Sequence, residues 1–239
     1  VLGEGNSDRR APTAVKAFAR KYPHSMGEWS PASRTHVAHM RGGDFYSSEQ
    51  SVTLDKATKA NIVFENKQGK QTVLKADLPL QEGEVLDGMF MSKKALVKFF
   101  EDAIADCENT GVMFSLHVKA TMMKISHPIV FGHAVKVFYK DLFDKYGELF
   151  DEIGVNPNNG LSSVVEKIKQ LPESKQEQIQ EDLHACYEHR PEIAMVDSVK
   201  GITNLHVPSD VIVDASMPAM IRNSGKMWAR DNKLKDTKA

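Results

Sequence analysis

Apolar residues recur along this chain at two periods, and the switch between them separates strands from helices. Pro12 suits the first turn of a helix running to Tyr22, with Val15, Phe18 and Ala19 on one face. From Asn61 to Leu80 the text is that of strands. Ile62, Val63 and Phe64 lead into a polar turn at 66–70, then into Thr72, Val73 and Leu74, which predicts a hairpin. Ser92 stands where it can cap a helix whose Leu96, Phe99, Phe100, Ala103, Ile104 and Cys107 recur at helical spacing. An apolar strand is expected over Val112–Val118. One long helix should follow from about Ile129 to Phe150, burying Phe131, Val135, Phe138, Leu142 and Leu149. A further helix begins near Leu161. The next opens with Ser174 and Glu177 in capping-box spacing and turns Ile179, Leu183 and Tyr187 inward. Short strands are expected at Ile193–Val196 and Val211–Val213, and Pro218 opens a last helical turn. Strands alternating with helices predict an α/β fold, a layered sheet flanked by helices. By region, 1–60 reads as loop and helix, 61–91 as the hairpin region and 92–239 as the α/β region.

Composition narrows the function classes more than it narrows the fold. The 239 residues are 41% hydrophobic and 26% charged, ordinary for a globular chain. A net charge of −1 gives no global reason to expect nucleic acid or an anionic membrane as partner. No apolar run approaches the roughly 18 residues of a spanning helix, and no basic stretch precedes an apolar core at the N-terminus. Cys107 and Cys186 are too few for a disulfide framework, and both sit in apolar helical patterns, so buried thiols and a cytoplasmic setting are expected. The chain begins at Val1 without an initiator Met, which processing or excision from something longer would equally produce.

Three stretches carry candidate chemistry. In GEGNSDRRAP, from Gly3 to Pro12, glycines beside Asn6, Ser7, Arg9 and Arg10 precede a helix start. Backbone N–H groups and guanidinium forks there suit a carboxylate or phosphate, although a solvated loop would read the same way. In SLHVKATMMKISHP, from Ser115 to Pro128, Lys119 stands directly after an apolar strand, where open α/β sheets bind ligands. A partly desolvated lysine there can act as a general base. Lys124 is a weaker alternative; Met122 and Met123 read as core filler, His117 and His127 as structural. In HVPSDVIVDASMPAMIR, from His206 to Arg222, Asp214 follows an expected strand. It could hold a hard cation such as Mg²⁺ or cap the next helix, with Asp210 a weaker second carboxylate. His36 and His39 have no downstream partner at zinc spacing and read as structural.

Taken together, EGNSDRRAP, KATMMK, KGITNLHVPSDVIVDASMPAMIR and SGKMW closely resemble the monomeric NADP-dependent isocitrate dehydrogenases of bacteria. PHSMGEW, VAHM, GDFY and LPESKQ also resemble them, and the likeness runs from Val1 to Ala239. The resemblance implies an internal segment of that family's large domain, hence an incomplete isocitrate dehydrogenase-like α/β fold. It implies oxidation of isocitrate with NADP and loss of CO₂ to give 2-oxoglutarate, assisted by Mg²⁺ or Mn²⁺, in a polypeptide that works as a monomer. Residue by residue it implies Lys119 as the catalytic base, Arg9 with Ser7 and Asn6 as substrate-binding groups, and Asp214 as a metal ligand. It assigns no NADP contact within these residues.

One departure is plain. The family carries a substrate-binding arginine immediately before EGNSDRR, whereas this chain has Gly3, so one guanidinium–carboxylate contact of roughly 1.5–3 kcal/mol is missing. Two rivals use the same residues: a stand-alone binding or regulatory module without catalysis, and an unrelated Mg²⁺-dependent hydroxy-acid enzyme built on Lys119 and Asp214. An autonomous enzyme would hold all its metal carboxylates and a cofactor-phosphate site, and this chain offers one convincing metal carboxylate and no phosphate loop. The 239 residues alone are therefore expected to be catalytically silent with isocitrate, Mg²⁺ and NADP, which NADPH absorbance would check. Arg9, Lys119 and Asp214 are expected to face one cleft.

Overall fold

A computed structural model describes residues 12–23, 27–118, 123–208 and 213–239, with the backbone only at 213–215. The chain divides into two compact units, His39–Phe100 and Val1–Ala38 with Glu101–Ala239. Helix α1 (Thr13–Lys21) starts after Pro12 as its sequence predicts, yet it buries nothing. Val15 and Phe18 stay exposed, and Phe18 meets the ring of Tyr22, with centroids 4.9 Å apart.

In the 39–100 unit, Asp44 caps the single turn α2 (Phe45–Ser48), with Ser47 N–H donating to Asp44 Oδ1 at 3.1 Å. Strand β1 (Gln50–Thr53) precedes the predicted hairpin, β2 (Thr58–Glu65) antiparallel to β3 (Gln71–Leu80). Asn66 Oδ1 forms its turn by accepting from the N–H groups of Gln68 and Lys70. The register slips between Ala60 and Val63, where Asn61 Oδ1 accepts the N–H of Asp77, a residue at φ 53°. Strand β4 (Val85–Gly88) returns to β1. Ser92 caps α3 (Lys93–Thr110) as expected, accepting from Ala95 N–H at 3.3 Å. Leu96, Phe100, Ala103, Ile104 and Cys107 form that helix's buried stripe.

The larger unit is built around a small sheet with an unexpected middle strand. The strand expected over Val112–Val118 is ladder-forming only at β5 (Met113–Phe114). Its parallel partner is the polar segment Leu234–Lys238, which offers it Thr237 and Lys238 alone, so regular pairing stops there. Two helices then replace the predicted single one, α4 (Ser126–Phe138) and α5 (Lys140–Glu152). Tyr139 breaks them at φ −100°, ψ 35°. Phe138 and Tyr139 are both fully buried. Tyr139 reaches the Tyr187 hydroxyl at 2.9 Å. Beyond the break the stripe becomes Leu142, Tyr146 and Phe150, with Leu149 only half-buried.

Helix α6 (Leu161–Lys167) begins where expected. Helix α7 (Glu173–Glu188) does not use Ser174 as its cap: Pro172 is the N-cap residue and Ser174 lies inside the first turn, so the predicted capping box does not form. Two short strands follow, β6 (Met195–Asp197) antiparallel to β7 (Ile202–Thr203). Residues 211–212 of the last predicted strand lie outside the described residues, but Val213 is helical and opens α8 (Val213–Arg222). Pro218 therefore sits inside that helix rather than at its start, where it removes one N–H from the ladder.

Strand β8 (Lys226–Trp228) and β9 (Leu234–Lys238) pair antiparallel, giving the order β5-β9-β8. The strip 36–38 adds to β9 through His36 N–H to Thr237 O at 3.2 Å and Ala38 N–H to Ala239 O at 2.7 Å. Residues 192–194 add to the far side of β5, with Phe114 N–H to Glu192 O and Ala194 N–H to Phe114 O both at 2.8 Å. Thr237 is consequently 0% exposed, and Lys238 Nζ meets Asp106 Oδ2 at 2.6 Å. That ammonium holds the Asp106 carboxyl below its ordinary range. The architecture is thus mixed helix and strand with small sheets. Both cysteines are buried and unpaired, as expected, and burial pushes the Cys107 thiol up to about 11. Among the described residues no helix is long and apolar enough to cross a membrane.

Gly160 anchors the loop that precedes α8. It sits at φ 84°, ψ −176°, a region essentially closed to side chains, and a Cβ there would lie 2.1 Å from the His206 carbonyl oxygen. Gly160→Ala is expected to lower stability by about 2–4 kcal/mol, read as a shift of the urea unfolding midpoint at unchanged slope.

Candidate active site

The loop 204–208, which follows β7, is docked by backbone groups. Helix α6 leaves its first N–H groups without intrahelical partners. Leu161 N–H donates to Leu205 O and Ser162 N–H to His206 O, both at 2.9 Å, so the loop carbonyls cap that helix. Asn204 N–H donates to Ala194 O at 2.9 Å and fixes the other side. His206 Nδ1 accepts from Thr203 N–H at 2.9 Å and lies 2.9 Å from Thr203 Oγ1, which stiffens the turn.

Opposite this loop, β5 runs into 115–118. Ser115 N–H donates to Lys238 O at 2.9 Å, carrying the backbone one residue past the ladder. Ser115 is buried, and its Oγ accepts from Asn204 Nδ2 at 3.0 Å. The same Asn204 Nδ2 reaches Leu116 O at 3.2 Å. Ser115 Oγ also lies 2.9 Å from His117 Nε2, and His117 Nδ1 lies 3.1 Å from Ser216 Oγ on α8. With Asn204 donating to Ser115, the hydroxyl proton is free to go to His117 Nε2. In that tautomer the ring carries its proton on Nδ1 and donates it to Ser216; with the proton on Nε2 it donates to Ser115 and accepts from Ser216. Burial lowers the pKa of both His117 and His206, favouring their neutral forms. The Oδ1 atom of Asn204 is buried with no hydrogen-bond partner among the described residues.

The residues singled out in the sequence stand around this network. Asn6, Ser7, Arg9 and Lys119 lie outside the described residues, as do Gly3, Met122 and Asp210. Asp214 belongs to the backbone of α8 rather than to a strand end, and its side chain lies outside the described set. What is described is one link between two candidate segments, the His117–Ser216 contact. It joins residues two positions before Lys119 and two positions after Asp214. Sequence reading treated His117 as structural, and neither Ser216 nor Asn204 was a candidate site residue. No period or motif spacing points to that trio, because its partners come from residues about 90–100 positions apart.

Among the described residues no group of three or more His, Cys, Asp or Glu side chains could hold a metal ion. Mg²⁺ and Mn²⁺ prefer several oxygen ligands, and a carboxylate such as that of Asp214 is a donor of that type.

The whole chain, residues 1–239, matches the family model described as monomeric isocitrate dehydrogenase. It belongs to that family. The chain is 67% identical to "Isocitrate dehydrogenase [NADP] 2" of Mycobacterium tuberculosis and 64% identical to the protein of that name from Psychrobacter sp.. It is 56% identical to "Isocitrate dehydrogenase [NADP]" of Azotobacter vinelandii. In each case all of this chain is matched, but only 32% of the relative, so it spans about a third of the length of these curated relatives.

The two depressed histidines set a pH dependence. A histidine whose folded pKa lies below its unfolded value near 6.5 binds fewer protons folded than unfolded. Its stabilising contribution is therefore fully present above about pH 6.5 and is lost as pH falls toward the folded pKa. Unfolding free energy should drop between pH 7.5 and 5.5, by at most about 1.4 kcal/mol per pH unit for each histidine. Urea titrations at the two pH values check this, and His206→Gln should flatten the difference.

Proposed function

We propose that this chain is a segment of the large, layered α/β domain of an enzyme that oxidises isocitrate with NADP and releases CO₂ to give 2-oxoglutarate, working as a monomer in the cytoplasm. The observation that carries this reading is the family match over all of residues 1–239, with relatives named NADP isocitrate dehydrogenases at 56–67% identity. The chemistry fits the residues. A tricarboxylate calls for planar cationic donors, and Arg9 supplies a guanidinium fork, flanked by Ser7 and Asn6 as neutral donors. Removing hydride from the secondary alcohol requires loss of the hydroxyl proton, which passes to the uncharged amine of Lys119. Asp214 would be the residue of this chain to hold a Mg²⁺ or Mn²⁺ ion, through its carboxylate. When bound, that ion supplies the electron sink for decarboxylation. Support for a shared site comes from the His117–Ser216 contact, which holds the backbone leading to Lys119 beside the helix of Asp214.

The test uses a full-length polypeptide of the family carrying this segment. NADPH formation should require isocitrate and should stop with a chelator. Lys119→Met should reduce kcat by roughly 10²–10⁴-fold while isocitrate affinity stays within about tenfold, because a neutral ground-state hydroxyl gains little from the base. An unchanged kcat would move the base elsewhere, with Lys124 the first residue to replace. Absence of turnover in the unaltered protein would favour a non-catalytic binding module.

A further inference from the structure

The Ser115–His117–Ser216 chain serves no catalytic step in the reading above, yet it is the side-chain link described between the two segments that reading depends on. Its members are well anchored. Ser115 is buried, tied through its N–H to Lys238 O in the central strand and through its hydroxyl to Asn204. Asn204 is tied to Ala194 O. His117 therefore projects from a fixed base, and Ser216 is the atom on α8 that it grips at 3.1 Å. Helix α8 needs such a grip. Pro218 deletes one of its backbone hydrogen bonds, so the turn carrying 213–216 is less firmly held by the helix itself.

We propose that His117 is a positioning residue whose imidazole, braced by Ser115 and Asn204, clasps Ser216 and thereby fixes the spacing between the backbone entering Lys119 and the helix turn that carries Asp214. This inference rests on the proposed isocitrate chemistry for its effect on rate, but the clasp itself can be measured without it. A lysine base and a metal carboxylate serving one small substrate must be held to a fraction of an ångström, and a displacement of about 1 Å is enough to cost about 10²-fold in rate. The loss falls on kcat, because in the reading above the substrate carboxylates are bound by Arg9 on another segment.

The experiment uses the full-length polypeptide with this segment. Ser216→Ala removes the acceptor, Ser216→Thr keeps it, and His117→Gln keeps a polar group toward Ser115 while withdrawing the ring from Ser216. We expect Ser216→Ala and His117→Gln each to lower kcat by about 10- to 100-fold with isocitrate KM within about threefold, and Ser216→Thr to recover kcat to within about threefold of the unaltered protein. Tyr146→Phe serves as the control for simple loss of a hydrogen bond, since its hydroxyl bonds Asp182 at 2.5 Å between α5 and α7. It should lower the melting temperature comparably and leave kcat alone. A kcat for Ser216→Ala no lower than that of the Tyr146→Phe control would overturn the positioning role. The double variant His117→Gln with Ser216→Ala reads the contact independently of turnover. Its melting temperature should match that of the single variants, whereas additive losses would show that the two side chains do not interact. If the unaltered protein makes no NADPH while the double variant is non-additive, the clasp stands and the isocitrate reading falls.

Discussion

Everything in the larger unit hangs on a parallel pairing two residues long, β5 against β9. Met113 and Phe114 are apolar and buried, but a lone strand cannot bury its own N–H and C=O groups without loss. Thr237 and Lys238 satisfy them on one side and the 192–194 strip on the other. That arrangement explains why so polar a segment as Leu234–Lys238 occupies the middle of a sheet. It is chosen for its backbone, and its cationic head is neutralised by Asp106. From the same pairing the chain is launched toward Ser115 and His117, so the geometry of the candidate site is inherited from a ladder too short to be seen as one in the sequence.

What the sequence disclosed followed from local periodicity. The Asn61–Leu80 hairpin, the Ser92 cap and the stripe Leu96–Cys107 needed only neighbours within one or two turns, and all three formed. What it hid depended on distant partners. The break at Tyr139 goes with a hydroxyl contact to Tyr187, 48 positions away, and both flanking segments read as helix. The Ser174–Glu177 signature failed for a different reason: Pro172 already fixes the turn before it, so the helix starts earlier. Val211–Val213 read as a strand because β-branched residues dominate it, yet Val213 lies in a helix.

The candidate site divides along the same line. Lys119, Arg9 and Asp214 were singled out because their neighbourhoods resemble one family over the whole chain, and the family match bears out that resemblance, not the role of any one residue. Asn204, His117 and Ser216 were not, because an amide, an imidazole and a hydroxyl carry no signature until folding links them, Asn204 to Ser115 at 3.0 Å, Ser115 to His117 at 2.9 Å and His117 to Ser216 at 3.1 Å. The loop bearing Asn204 is likewise held by main-chain groups at the start of α6, and only Gly160 betrays the closeness of that approach.

The two thiols have a practical consequence. Cys107 and Cys186 are the only cysteines in the chain, and both are buried within helices, with the Cys107 proton held far above neutral pH. An alkylating reagent attacks the thiolate, so in the folded molecule neither sulfur reacts at an appreciable rate. Each becomes reactive only when its helix lifts away. Labelling kinetics at the two sulfurs would thus clock the opening of α3 and of α7 separately, without any engineered probe.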